Sequence, residues 1–135
     1  MENSNITQLE KRINILLEWK SVLLRLAEDE LSPYDKWCAE KELSREDQHF
    51  ITNLCMLFNI RLHPDQSNPD VQKVTKNFEE HFKVGDFELS YEVFEKFIKD
   101  YQLREKTIHE WDAREVLEKL AESNRSVELK EQLLG

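Results

Sequence analysis

The histidines and cysteines are the side chains that could perform chemistry, and their spacing decides which chemistry is open to them. The chain holds 4 histidines, and the stretch from His109 to Ala113 comes nearest to a zinc-protease motif. That motif needs a second histidine four residues on, so that both imidazoles reach one metal, and Ala113 occupies that position. His109 could share a helical face with Glu105 and Asp112, but acidic helices contain such trios by chance. We expect surface hydrogen bonding here rather than metal binding.

Two cysteines, Cys38 and Cys55, lie in apolar stretches and form no CxxC pair. A catalytic thiol must be exposed and surrounded by positive charge, because the thiolate is the nucleophile. The neighbours of both are Trp, Leu, Met and Glu, so we expect buried free thiols. A disulfide would require their helices to be adjacent, and a reducing cytoplasm disfavours it.

Glycine is too scarce to build a phosphate-binding loop. The chain has 2 glycines, Gly85 and Gly135, and no G-x-S-x-G sequence. Nucleotide enzymes that hold phosphate through backbone amides need several glycines close together. We therefore predict that the protein is not an enzyme, with no catalytic, cofactor-binding or metal-binding residues and no cofactor.

The elements that must position these side chains are predicted to be helices. Glycine and proline together make 5 of 135 residues, too few for the frequent turns of a sandwich or barrel. The expected fold is all-α, a compact single-domain bundle of six or seven helices spanning residues 1–135 with a long N-terminal helix.

The long first helix is predicted over residues 5–29, from an apolar stripe at three- and four-residue spacing that Lys20 interrupts. Its N-cap is either Asn5 or Thr7, which forms a capping box with Glu10. A stripe this broad is expected to face an oligomeric or other partner as well as the core. The candidate interface residues are Ile13, Leu16, Leu17, Trp19 and Leu24.

Cap residues and prolines divide the rest of the chain. Ser44, Asn68 and Ser90 are predicted N-caps, and Gly85 is expected to end a helix in a left-handed conformation. Thr107 and Asp112 are further cap candidates. The predicted helices are 33–42, Ser44 to about 62 as the central core helix, 69–83, one after Ser90, 106–122 as one bent helix or two short ones, and a last short helix after Ser126.

Charge limits the partners. With 28 acidic and 19 basic residues the net charge is −9, and the basic residues are interleaved with acidic ones. Nucleic acids and anionic membranes attract the opposite charge, so neither is an expected partner. The segment 33–62 has a helix-turn-helix outline, but Glu46 and Asp47 would repel DNA at the recognition positions. The N-terminus does not resemble a signal peptide, and a cytoplasmic protein is expected.

The placed helices resemble the small, uncharacterised YhaI-like family of Gram-positive bacteria and their phages. The best-matching stretch runs from Pro33-Tyr34 through Leu43-Ser44-Arg45-Glu46 to Asn53-Leu54-Cys55, and a weaker match covers 85–97. The predicted loop over residues 63–70, which contains two of the three prolines, and the charged residues 104–115 depart from the family pattern. The resemblance implies a compact all-helical fold with no known catalytic residues.

Taken together, these patterns predict a non-enzymatic helical protein-interaction module, a self-associating regulator or adaptor that binds itself and a further protein. One alternative is an acidic, phage-type inhibitor that mimics nucleic acid in the basic groove of another protein. A further alternative is an enzyme whose carboxylate or histidine site is scattered along the sequence. A mimic needs an unbroken stripe of carboxylates, so the interleaved lysines and arginines favour the interaction module.

Overall fold

A computed structural model describes residues 2–66 and 68–135 and the side chains of 5–65 and 68–135. Within these residues the chain is all-α, as predicted. It forms two compact units, one ending at Ser32 and the other running from Pro33 to Gly135, while the single-domain assignment stays a prediction. The helices are α1 (Glu2–Leu26), α2 (Pro33–Glu40), α3 (Arg45–Leu62), α4 (Pro69–Phe82), α5 (Tyr91–Glu105), α6 (Ala113–Glu122) and α7 (Val127–Leu134), with a 3-10 turn at Pro64–Gln66.

The first unit consists of α1 and the turn that follows it. The helix begins at Glu2, so Asn5 and Thr7 lie inside it, and the prediction that either starts it is wrong. No glycine or proline interrupts residues 2–7, so the helix continues upstream of both candidate caps. It ends at Leu26, earlier than predicted, where a run of acidic residues meets the negative end of the helix dipole.

Three predicted N-caps in the second unit are confirmed. The Ser44 hydroxyl accepts a hydrogen bond from the Asp47 amide at 3.0 Å, and the Asp47 carboxylate accepts one from the Ser44 amide at 2.9 Å. Asn68 caps α4 through the Val71 amide at 2.8 Å, and Ser90 caps α5 in the same way. The side chains satisfy amides that lack a partner within the first turn, which fixes where these helices begin.

Gly85 does not end α4, so that prediction is wrong. Lys83 takes the left-handed conformation instead, with φ 53°, and the next amide, that of Val84, donates to the Glu79 carbonyl at 2.8 Å. Val84 packs against the hydrophobic core. Helices that end in a left-handed residue commonly have an apolar contact at the next residue. The packing of Val84 therefore places the left-handed residue at Lys83.

The segment 106–122 is neither one bent helix nor two short ones. Its first part is not helical, and only α6 forms, with Asp112 as its N-cap. Thr107 caps nothing, because its hydroxyl donates to the His109 carbonyl at 3.0 Å. The chain leaves the helical path because Trp111 is buried in the core and its carbonyl accepts a hydrogen bond from the buried Gln102 side chain at 2.8 Å.

The core of the second unit is built around α3, in agreement with the prediction of a central helix. Phe58 meets Phe94 edge-on at 5.3 Å between ring centroids, and Phe50 stacks on Tyr101 at 4.0 Å. Rings in such contacts contribute beyond the area that they bury. The buried apolar residues of α3 are Phe50, Ile51, Leu54, Cys55, Leu57 and Phe58.

Candidate interaction surface

The apolar side chains of α1 are exposed. Nine large hydrophobic residues along this helix keep more than a third of their accessible surface: Ile6, Leu9, Ile13, Ile15, Leu16, Leu17, Trp19, Leu23 and Leu26. Single exposed apolar residues are ordinary, but large contiguous apolar patches on soluble proteins mark binding surfaces. The concentration of these residues on one helix makes α1 the candidate interaction surface.

The five predicted interface residues lie on one side of α1. Ile13, Leu16, Leu17 and Trp19 are exposed, and Leu24 is partly exposed. At about 100° per residue these five positions span roughly 160° of the helix circumference. We call this surface the α1 stripe, defined by Ile13, Leu16, Leu17, Trp19 and Leu24. Full burial of one such side chain contributes about 1.5–3 kcal/mol, so a partner covering several of them would gain substantially.

The three tryptophans have different environments. Trp37 and Trp111 are buried, in contact with each other at 6.4 Å between ring centroids, and the Trp37 indole donates to a Glu115 carboxylate oxygen at 2.9 Å. Trp19 is 58% exposed. Only Trp19 therefore remains a candidate for the binding role that exposed tryptophans often have at interfaces.

Two further exposed apolar residues were not predicted from the sequence. Leu103 is 79% exposed and Ile108 is 74% exposed. The periodic pattern places Ile108 on the apolar side of a helix over 106–122, but the chain is not helical there. The segment that contains Ile108 follows the left-handed Lys106, and no local sequence pattern marked this departure from the helix.

The structure does not support the sharing of one helical face by Glu105, His109 and Asp112. His109 lies in the non-helical segment, and its Nε2 atom is 3.2 Å from a Glu42 carboxylate oxygen. In the described ranges 2–66 and 68–135, no group of three or more His, Cys, Asp or Glu side chains is arranged to hold a metal ion. His109 instead links the turn after α2 to the turn after α5.

A second histidine makes a shorter contact with a carboxylate. His63 follows α3, and its Nε2 atom is 2.8 Å from a carboxylate oxygen of Glu128 in α7. The pair lines an open groove together with Asn59, Asn68 and Val71. The two residues are separated by 65 positions, so no local spacing pattern in the sequence could indicate the contact.

The two thiols are poorly suited to nucleophilic chemistry. Cys38 and Cys55 are buried and free, as predicted. Burial raises the pKa of Cys38 to about 11 and that of Cys55 to about 12, because an apolar interior disfavours the thiolate. Tyr34 lies against them, and burial also raises the pKa of its hydroxyl. At neutral pH these groups are protonated and act as packing side chains.

None of the helices in the described part of the chain is both long enough and apolar enough to cross a membrane. Comparison with family models, with curated proteins and with solved structures finds no match to this chain in any of the three.

Proposed function

We propose that this protein is a non-enzymatic helical interaction module, a regulator or adaptor that self-associates through α1. The observation that carries the proposal is the exposure of nine large hydrophobic side chains on that one helix. Apolar surface drives protein association when it is removed from water, and the helical geometry brings the residues of the α1 stripe to one side of the helix. The proposed interface includes the α1 stripe.

The features of the second unit fit a packed scaffold for this interaction module rather than a site of thiol chemistry. The helices formed by its described residues share one core, and its cysteines have raised pKa values that oppose thiolate chemistry. Free buried thiols are compatible with a reducing compartment, and we propose a cytoplasmic location. The proposed partners are a second copy of the chain and a further protein, rather than nucleic acid or membrane, because the net charge is −9.

The layout of charge favours this module over an acidic nucleic-acid mimic. On α5 and α6 the basic groups lie beside carboxylates of the same helix, as in the pairs Lys99 with Glu95 and Lys119 with Glu122, both at 3.3 Å. Such pairs interrupt the carboxylate face that a mimic would present to a basic groove. Membership of the YhaI-like family remains a proposal alongside this function.

The test replaces two residues of the α1 stripe. We expect the double variant Leu17→Glu, Leu24→Glu to be monomeric in light scattering at concentrations where the wild type is an oligomer. Charges at these positions would have to be desolvated in the interface, at a cost of several kcal/mol. The fold of the second unit should be unchanged, as measured by its circular dichroism and by its unfolding midpoint in urea.

Ile15→Glu is the matched control, because Ile15 is 43% exposed, close to the 45% of Leu17, and lies outside the α1 stripe. It should leave the oligomer intact. Equal dissociation by both sets of variants would show that hydrophobicity in general, and not this face, drives association. A monomeric wild type would contradict the proposal.

A further inference from the structure

The sequence of α1 follows a heptad repeat whose core positions suit a two-stranded coiled coil. Assigning Ile6 to an a position places Ile13 and Lys20 at the next two, and Leu9, Leu16 and Leu23 at d positions. Apolar residues at a and d cause two or more helices to supercoil around each other, and a single lysine at an a position sets the register and the number of strands. All six lie within one uninterrupted helix of 25 residues, about 37 Å long.

Lys20 decides the relative direction of the two strands. In a parallel pair in register, equivalent core positions face each other, so Lys20 would oppose Lys20 of the second copy within the apolar seam. Like charges in a partly desolvated seam repel, and no carboxylate of α1 occupies a neighbouring core or flanking position in that arrangement. A parallel pair is therefore disfavoured.

An antiparallel pair uses the same residues without that repulsion. Each a position then opposes a d position, and pairing residues whose numbers sum to 29 places Ile6 against Leu23, Ile13 against Leu16 and Leu9 against Lys20. This register engages every core residue from Ile6 to Leu23 on both copies. A shift of one heptad in either direction leaves part of the seam unpaired.

Charge complementarity supports this register. Counting from the a position of Ile6, Glu10 lies at e, and in an antiparallel pair the a and e positions of both strands share one side of the seam. Lys20 of one copy then lies about 1.5 Å along the axis from Glu10 of the other, and the symmetry repeats the contact. On the opposite side Arg12 lies near Trp19 of the second copy, where a cation–π contact can form.

We propose that α1 binds α1 of a second copy as an antiparallel two-stranded coiled coil in which Lys20 of each copy pairs with Glu10 of the other. This inference rests on the proposed self-association. It adds what binds α1, the relative direction of the two helices and the register in which they pair. The occupant is a second copy of this chain, because the core pattern and the charges of α1 complement themselves.

A charge cycle on the full chain tests the pairing. Lys20→Glu should weaken the dimer about tenfold and Glu10→Lys by a similar factor, because each turns two attractive contacts into repulsive ones. The double variant restores opposite charges and should return to within about threefold of wild type. The control is Lys11→Glu with Glu18→Lys, two changes on the outer face of the pair that should not affect the dissociation constant.

The relative direction of the two α1 helices is measured independently with a spin label attached to the Asn5→Cys variant. Cys38 and Cys55 are buried, so the introduced thiol is labelled selectively. Labels on two copies should be about 30 Å apart in the antiparallel pair and about half that distance in a parallel one.

The outcomes separate the two proposals. A dimer with a long label distance and energetic coupling between positions 10 and 20 supports the inference. A dimer with a short distance or no coupling, or a trimer or tetramer, overturns the inference while the proposed self-association stands. A monomeric wild type overturns both.

Discussion

Asp47 is a buried carboxylate whose hydrogen bonds connect two helices of the second unit. Its Oδ2 atom completes the capping box with Ser44, and its Oδ1 atom accepts a hydrogen bond from the Tyr101 hydroxyl at 2.8 Å. Burial, and then the adjacent carboxylate, raise the pKa of Tyr101. The sequence indicated the cap, since Ser44 and Asp47 are three residues apart, but not the Tyr101 contact, whose partners are separated by 54 residues.

Removing the Tyr101 hydroxyl should therefore destabilise the second unit. Tyr101→Phe leaves a buried carboxylate oxygen without its donor, and we expect the free energy of unfolding in urea to fall by about 2 kcal/mol. Tyr91→Phe is the control: its hydroxyl donates to Glu95 at 3.1 Å on the same helix, less deeply buried, and its loss should cost about 0.5 kcal/mol or less. Equal effects of the two changes would refute a special role for the Asp47 contact.

The raised pKa of the buried Cys55 thiol predicts a lower free energy of unfolding at alkaline pH. Its pKa is raised from 9.0 to about 12 in the folded chain, so above pH 9 the unfolded state holds fewer protons than the native one. Its contribution to stability is full below pH 9 and is lost as the pH rises towards 12. At pH 10 the free energy of unfolding should be lower by about 1 kcal/mol through this thiol alone.

The measurement is urea unfolding under reducing conditions between pH 7 and pH 10. Cys55→Ala removes the titrating group and should flatten the decline by that amount, whatever its effect on stability at pH 7. An unchanged pH dependence in this variant would show that the thiol is not the source.

At the scale of elements, the capped helix starts were predictable, as were the ends of α3 at Leu62 and α6 at Glu122, whereas the left-handed residue that ends α4 was not. Ser44, Asn68, Ser90 and Asp112 each act on an amide two or three residues away, so a local pattern contains the whole interaction. The end of α4 at Lys83 instead depends on Val84 packing against residues distant in sequence. The same reason explains the non-helical segment before α6, where the burial of Trp111 outweighs local helical preference.

The capping box gives the element-scale prediction. Ser44→Ala removes the acceptor for the Asp47 amide and should lower the free energy of unfolding by about 1 kcal/mol. Ser44→Thr keeps a hydroxyl at the cap and should recover most of that loss in the same urea experiment. If both variants lose the same amount of unfolding free energy, the start of α3 is set by packing rather than by the cap.

At the scale of the whole molecule, the amphipathic pattern of α1 was readable but its environment was not. Apolar residues at three- and four-residue spacing predict a helix whether its stripe meets a core or a partner. In the structure the stripe residues Leu16 and Trp19 are exposed, whereas the equally apolar Leu54 and Phe58 of α3 are fully buried. Periodicity cannot distinguish these outcomes, because it records the shape of a helix and not what covers it.

Self-association through α1 is the central claim, and sedimentation equilibrium of the unmodified chain tests it most directly. The monomer mass is 16.2 kDa. We predict a mass that rises towards twice that value as concentration increases from about 1 to about 100 μM, a range in which micromolar interfaces are populated. The Leu17→Glu, Leu24→Glu variant should stay at the monomer mass throughout. A wild type that remains at 16.2 kDa across the whole range would contradict the account.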